Sequence, residues 1–183
     1  MGRREYEYVP PTDPGKILSG IKQLHEQYKI KNMWSAAGCI KDVKGNIVRG
    51  GVVYRQTGGA FRSHRINAAG IFLVRGRPSR NGSHVIWRGN GYYYKSRNLT
   101  ENRHYSLAPD FSTGKYLTVK VKSGAKRGRF YIFTGKRSFN SGFTDTNGVL
   151  RIIVDEDFRV SRHRNGRDAV RFSSRDFGRE VAL

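Results

Sequence analysis

Short apolar runs separated by glycine-containing turns follow one another through the chain after Lys31. Runs rich in Val, Ile, Phe and Tyr are typical of β-strands, and the glycines between them favour tight turns. We expect strands at 47–56, 70–75, 83–88, 92–96, 116–122, 129–134 and 149–154. So many short strands predict a mainly β fold, built as an antiparallel β-sandwich or barrel.

The segment that precedes these runs has a different rhythm. Asp13 can cap the start of a helix, and Pro14 suits its first turn. Apolar residues then recur on one face, at Ile17, Leu18, Ile21, Leu24 and Tyr28. The sequence therefore predicts one N-terminal amphipathic helix within residues 1–31, lying against a basic β-sandwich at 32–154.

The segment 155–183 is rich in Arg and Asp and holds few apolar residues. Three acidic residues at 155–157 are followed by Arg159, Arg162, Arg164 and Arg167. This composition predicts a C-terminal arm that either docks onto the cationic surface of a neighbouring protein subunit or stays mobile. The arm would be the third region of the chain and would serve assembly.

Positive charge is concentrated in the middle of the chain. The formal net charge is +21, and 20 of the 35 Lys and Arg residues lie within 43–144, where Glu101 and Asp110 are the only carboxylates. These cations are interleaved with Val, Ile, Phe and Tyr, so they belong to a folded surface and not to a disordered tail. Because like charges destabilise a compact state, the sequence predicts a polyanion partner. Nucleic acid is the first candidate, and an anionic glycan, a lipid headgroup layer or an acidic protein would satisfy the same electrostatics.

Two groups of residues are predicted to form the polyanion-binding surface. Guanidinium forks fit phosphate oxygens, and aromatic ring faces can stack on bases. The first group is Arg75, Arg77, Arg80, Trp87, Arg88, Tyr92, Tyr94, Lys95 and Arg97. The second group surrounds a predicted hairpin and is Lys120, Lys122, Lys126, Arg127 and Arg129. Alternation along a strand places Lys120 and Lys122 on one wet face.

Two other classes of function remain open from the sequence. Glu101 and His104 lie in one predicted loop beside cations, a set that could cleave RNA by general acid and base action without a metal. A small metal-independent ribonuclease is therefore the enzymatic alternative to a non-catalytic binding protein. The third alternative is a surface module that recognises an anionic glycan or an acidic protein, with Trp87 and tyrosines 92–94 as a ring platform for sugars.

Several classes of chemistry find no support in the sequence. Cys39 is the single cysteine, and no Cys/His pair has the spacing of zinc ligands, so neither a structural metal nor another cofactor is expected. No apolar run reaches membrane-spanning length, and the first residues lack the apolar core of a signal peptide. We expect cytoplasmic synthesis, no membrane insertion, and a structural role in a virion or another nucleoprotein assembly.

One stretch also resembles a known family. Residues 38–53, which read GCIKDVKGNIVRGGVV, followed by 67–72, NAAGIF, are similar to the opening of a carboxypeptidase regulatory-like domain. Residues 113–119, TGKYLTV, are similar to the strand that closes such a domain. The resemblance implies a transthyretin-like, Ig-like sandwich with an accessory or adhesion role and no active-site residues. Two departures are that Ile47 stands where the family usually has proline, and that 75–110 would be a long insertion.

Overall fold

A computed structural model describes residues 34–58, 60–64, 66, 68–100, 104–122, 128–135 and 138–183, together with Ser19 and Gln23. The predicted N-terminal helix lies outside the described residues apart from Ser19 and Gln23, and it stays a prediction. Among the described residues no helix is long and apolar enough to cross a membrane.

The protein is mainly β, as predicted. The strands are β1 (Trp34–Gly38), β2 (Val52–Thr57), β3 (Ala60–His64), β4 (Phe72–Gly76), β5 (His84–Gly89), β6 (Tyr92–Lys95), β7 (His104–Leu107), β8 (Leu117–Lys120), β9 (Arg129–Phe133), β10 (Phe139–Phe143), β11 (Val149–Val154), β12 (Phe158–Ser161), β13 (Val170–Phe172) and β14 (Glu180–Ala182). Two short 3₁₀ helices cover Phe111–Thr113 and Ser174–Asp176. Each of the seven predicted strands overlaps one of these observed strands.

The strands form three sheets. A central sheet of seven strands has the order β14-β8-β11-β6-β5-β2-β3, a sheet of three has the order β4-β1-β7, and a sheet of four has the order β10-β9-β12-β13. The prediction of a purely antiparallel fold was wrong, because β1 pairs with β7, β6 with β11 and β8 with β14 in parallel. Two strands can pair in parallel when the segment between them is long enough for the chain to cross back to the end of the sheet where the first strand began.

Side chains of the central sheet are buried on both of its faces. Val53, Val85 and Trp87 point to one side and pack in a first core with Trp34 and Val74 of the three-stranded sheet. Alternate residues point the other way into a second core, where Tyr54, Ile86, Tyr93, Leu150 and Ile152 meet Phe130, Ile132, Phe158 and Val160 of the four-stranded sheet. Sheets are therefore packed on sheets in three layers, and the middle of the central sheet has no wet face.

The segment predicted as a C-terminal arm is part of these sheets. Strand β12 pairs with β9, β13 pairs with β12, and β14 extends the central sheet beside β8. Phe158, Val160 and Phe172 are buried in the second core. The prediction of a separate arm after residue 154 was therefore wrong. In β12, Arg159 stands between the buried residues Phe158 and Val160, so a composition dominated by Arg concealed a strand with one buried face.

Candidate polyanion-binding surface

The aromatic residues predicted for this surface are core residues. Trp87 is 0% exposed, and its indole N–H donates to the carbonyl of Gly50 at 3.2 Å. Tyr94 is buried, and burial raises the pKa of its phenol. Tyr92 is half-buried, and its hydroxyl accepts a hydrogen bond from the Val43 N–H at 3.4 Å. The prediction that these rings stack on bases or sugars was wrong, because β5 and β6 lie in the covered middle of the central sheet.

Lys95 is also misplaced in the predicted surface. Lys95 is the last residue of β6, and it is 2% exposed. The ammonium donates to the Thr134 hydroxyl, and burial lowers the pKa of Lys95 to about 8. A cation enclosed in this way does not meet a macromolecular polyanion, so Lys95 does not belong to that surface.

The other cations of the first group remain at the surface. Arg75, Arg77, Arg80 and Arg97 are exposed, and none of them pairs with a described carboxylate. Arg88 is half-buried and donates to the carbonyl of Ser141 at 3.4 Å. The turn that carries Arg80 is tied to the loop after β6, because the side-chain amide of Asn98 donates to the carbonyl of Asn81.

The second predicted group is only partly described. Lys126 and Arg127 lie outside the described residues. Lys120 and Lys122 are exposed, while Leu117 and Val119, which precede them in the same stretch, are buried. This is the alternation that the sequence predicted. Lys120 forms an ion pair with Glu180 at 2.7 Å, which reduces its availability to an anion.

Arg88 and Arg129 share one aromatic ring. Their guanidinium carbons lie 5.4 Å and 5.1 Å from the centre of the Phe143 ring. Phe143 is 37% exposed, which makes it one of the large apolar side chains that reach solvent. Cation–π contacts of this kind hold a guanidinium in place without neutralising its charge. Arg129 is thus an ordered cation beside an accessible ring face.

A cluster of cations at the edge of the central sheet was not singled out from the sequence. Strands β2 and β3 pair so that Arg55 is opposite Arg62 and Val53 is opposite His64. Burial, followed by the charges of Arg62, Arg55 and Arg75, lowers the pKa of His64. We refer to Arg55, Arg62, Arg75 and His64 as the β3-edge cluster, because β3 is the last strand of that sheet.

Arg55 is held in the β3-edge cluster by neutral groups. Its Nε donates to the Ser83 hydroxyl at 3.0 Å, and its Nη2 donates to the carbonyl of Arg77 at 2.7 Å. The guanidinium carbon lies 4.4 Å from the centre of the Trp34 ring. Burial and the neighbouring charge of Arg62 lower the pKa of Arg55. The side chain is therefore fixed in position, while no described carboxylate pairs with its charge.

Several carboxylates elsewhere in the described part of the chain are engaged by local cations. Arg151 pairs with Asp145, Arg171 with Asp157 and Arg179 with Asp176. No ion pair among the described residues includes Arg55, Arg62 or Arg75. These three arginines around β3 therefore have no ion-pair partner in the part of the chain that the structure describes.

A turn signal in the sequence could have revealed this cluster. Strand β2 ends at Thr57 and β3 begins at Ala60, so two glycines stand between them in the sequence, and Gly58 has a φ of 57°, a value that favours glycine. Counting outward from a two-residue turn pairs Thr57 with Ala60 and then Arg55 with Arg62, which is the observed register. Both arginines were available in the sequence, but their pairing requires the turn to be recognised.

The structure offers no described site for the enzymatic alternative. Glu101 lies outside the described residues, and of His104 only its place at the start of β7 is described. Within the described ranges no group of three or more His, Cys, Asp and Glu side chains could hold a metal ion. Cys39 is buried, and burial raises the pKa of its thiol.

Fold and surface together define a mainly β protein with uncompensated arginines at one sheet edge. No family model and no curated protein matches the chain. Among solved structures, the chain is similar to the Bacillus anthracis TIE protein at 15% identity and a TM-score of 0.32, over 83% of this chain and 33% of that one. A candidate carbohydrate-binding protein from Bacteroides uniformis is similar at 13% identity and a TM-score of 0.30, over 76% and 90%. The chain thus spans about a third of the first protein, and similarities at this level identify neither fold family nor function.

Proposed function

We propose that the protein is a non-catalytic basic binding protein that engages a polyanion at the β3-edge cluster. Nucleic acid is the first candidate for this polyanion. The observation that carries this proposal is the fixed guanidinium of Arg55, which lies opposite Arg62 and has no counterion among the described residues. The setting we propose is a large assembly such as a virion or nucleoprotein particle, where neutralising a nucleic acid requires an excess of cations.

The electrostatics of the β3-edge cluster favour a bound anion. Like charges directly opposite each other on paired strands destabilise a sheet, and an anion between them would offset that repulsion. The hydrogen bonds that join Arg55 to described residues use Nε and Nη2, which leaves Nη1 for an anion. A phosphate oxygen accepts such a donor well, and the guanidinium fork matches its geometry.

The exposed position of the cluster favours an extended ligand. Strand β3 has a single partner strand in its sheet, so the ligand can approach along the open edge. Arg77, Arg80 and Arg97 are exposed on neighbouring loops and add charge along the same part of the chain. A phosphate backbone could meet several of these cations in succession, which would release counterions and make affinity depend steeply on salt.

Binding across a salt series tests the proposal. The protein would be titrated with single-stranded RNA, duplex DNA and heparin while the same tubes are monitored for cleavage. The double variant Arg62→Gln/Arg75→Gln should lower the slope of log affinity against log salt by about 2, since each phosphate contact contributes roughly 0.7 to 0.9. The matched control is Arg175→Gln, an exposed arginine that precedes β14 at the opposite edge of the central sheet.

The outcomes separate the alternatives. An unchanged slope in the double variant, or a loss equal to that of Arg175→Gln, would show that the β3-edge cluster is not the binding surface. Cleavage of RNA by the intact protein would replace binding with the ribonuclease alternative. Preference for heparin over both nucleic acids would favour an anionic glycan as the partner.

A further inference from the structure

A pocket of about 240 Å³ lies where the second core meets solvent at one end of the central sheet. Its polar lining includes Gln56, His84, Lys95, Thr134, Ser138 and Glu156. Gln56 and His84 are register partners on β2 and β5, and Lys95 follows on β6. Alternation explains this grouping. Gln56, His84 and Lys95 are each two positions away from Tyr54, Ile86 and Tyr93, so they share the face that packs against the four-stranded sheet.

Lys95 has unusual surroundings for a lysine. It is 2% exposed and yet borders the pocket. The Thr134 hydroxyl accepts one of its three N–H groups, and the carboxylate of Glu156 is near but forms no ion pair with it. Burial lowers the pKa of Lys95 to about 8, with Glu156 opposing the shift. A substantial fraction of Lys95 is therefore a neutral amine near pH 8, and a neutral amine is a nucleophile.

Two neighbouring groups can move protons in the pocket. The Nδ1 of His84 lies 2.9 Å from the carbonyl oxygen of Ser96, so Nδ1 carries the proton and the neutral ring keeps its lone pair on Nε2. Burial is the largest effect on the pKa of His84; it lowers that pKa and favours this neutral form. Oε1 of Glu156 accepts the Asn98 N–H at 3.2 Å, which orients that carboxylate at the pocket wall.

We propose that Lys95 is an amine nucleophile that captures small aldehydes in this pocket as an imine. The Nζ lone pair forms a bond to the carbonyl carbon, and the carbonyl oxygen takes up a proton to give a carbinolamine. The nitrogen then loses a proton to His84 Nε2 or to the Glu156 carboxylate, the hydroxyl is protonated and leaves as water, and the C=N bond forms. The step needs no oxidant or reductant. The oxygen takes up two protons and the nitrogen gives up one, so one proton is drawn from solvent and the products are the protonated imine and one water.

The pocket limits the size of the aldehyde. A volume of about 240 Å³ has room for aliphatic, single-ring and fused bicyclic aldehydes, whereas a tetracyclic aromatic aldehyde is larger than the pocket. Capture is therefore expected to be selective for small aldehydes. Exposed lysines such as Lys122 carry no such restriction and serve as internal references.

Reductive trapping tests the proposal on the intact protein. Acetaldehyde and cyanoborohydride would be added, and ethylation of each lysine would be followed by peptide mass mapping across pH. We expect ethylation of Lys95 at pH 7 to be at least tenfold faster than that of Lys122 and to level off above pH 8. With pyrene-1-carbaldehyde in place of acetaldehyde, Lys122 should react and Lys95 should not.

Two results would overturn the proposal. Ethylation of Lys95 that is no faster than that of Lys122 would show that the amine is closed off or protonated. Equal reaction of Lys95 with both aldehydes would show that labelling occurs through unfolding and not in the pocket. The Ser138→Ala variant, which alters the rim and leaves Lys95 and Thr134 in place, should retain selective ethylation.

Discussion

Arg55 and Arg62 lie directly opposite each other on the antiparallel strands β2 and β3. They extend from the same face of the central sheet, and the hydrogen-bond acceptors around Arg55 are a hydroxyl and a backbone carbonyl, which carry no negative charge. An arrangement of this kind has a cost in the free protein that an anionic ligand would remove. Stability and binding at this edge should therefore respond to single substitutions in opposite directions.

The first prediction concerns these opposite effects on stability and on binding. Arg62→Gln should raise the free energy of unfolding of the ligand-free protein by a few tenths of a kcal/mol at low salt, because the repulsion of Arg55 is removed. The same variant should bind single-stranded RNA more weakly. Chemical denaturation at low and high salt, with Arg175→Gln as the control, measures the first effect. A destabilised Arg62→Gln protein would contradict the repulsion.

A second prediction concerns the protonation of His64. The pKa of His64 should lie below its ordinary value in the free protein, because burial and then Arg62, Arg55 and Arg75 disfavour the charged ring. Adding inorganic phosphate should raise this pKa, and so should Arg62→Gln. An NMR titration of the histidine ring signals, assigned with His64→Gln, gives the values. A His64 pKa that phosphate leaves unchanged would place anion binding elsewhere.

Gly76→Ala provides a test in which no charge is altered. A Cβ at position 76 would overlap the Nη1 atom of Arg55, so the guanidinium must leave its place on Trp34. We expect weaker RNA binding with little loss of stability, because the displaced group is the flexible end of a side chain. Gly50→Ala is the matched control, since a Cβ there meets nothing within 4 Å. Equal affinity of the two variants would show that the position of Arg55 does not matter.

The buried Lys95 should make stability depend on pH. Its pKa is lowered from 10.5 to about 8 in the folded state, so the unfolded chain binds more protons between these values and stability rises with pH across that window. Lys95→Met removes this titration. Between pH 7 and pH 10.5 the unfolding free energy of the parent should therefore rise, relative to that of Lys95→Met, by on the order of 3 kcal/mol. A pH-independent difference would mean that the amine is solvated.

Strand β13 tests the place of the C-terminal segment in the fold. Phe172 is 4% exposed in the second core, whereas Val170 on the same strand is 40% exposed. Phe172→Ala should lower the free energy of unfolding by roughly 3 to 5 kcal/mol, and Val170→Ala by less than about 0.5 kcal/mol. Urea unfolding of both variants gives the comparison. Similar small losses would restore the view of this segment as a peripheral arm.

The sequence predicted the strands that follow simple apolar runs. Segment 92–96 is an example, since β6 covers Tyr92–Lys95. Strands with polar or glycine-containing interiors were missed, as in β10, which reads FNSGF, and in β12, where Arg hides the alternation of Phe158 and Val160. Such strands are recognised by their partners across the sheet, and one sequence does not contain that information.

The binding surface was predictable only in part. An excess of cations within 43–144 is visible in the composition, and the exposed arginines 75, 77, 80 and 97 follow from it. Trp87, Tyr94 and Lys95 were assigned to the surface because one face of each strand was assumed to be wet. A run of aromatic residues such as 92–94 is instead typical of a strand covered on both faces. The resemblance to a carboxypeptidase regulatory-like domain stays a prediction.

The parallel pairing of β6 with β11 has a consequence for the time course of folding. Ile153 of β11 packs in the first core, while Leu150 and Ile152 pack in the second, and the strand lies between β6 and β8 in the sheet. More than fifty residues separate β6 from β11, so neither core can close before this distant segment arrives. Loop closure of that length slows the search for the native state, and domains dominated by such pairings fold in milliseconds to seconds. Refolding of this protein should accordingly be slow and concerted, with both cores forming in one kinetic phase.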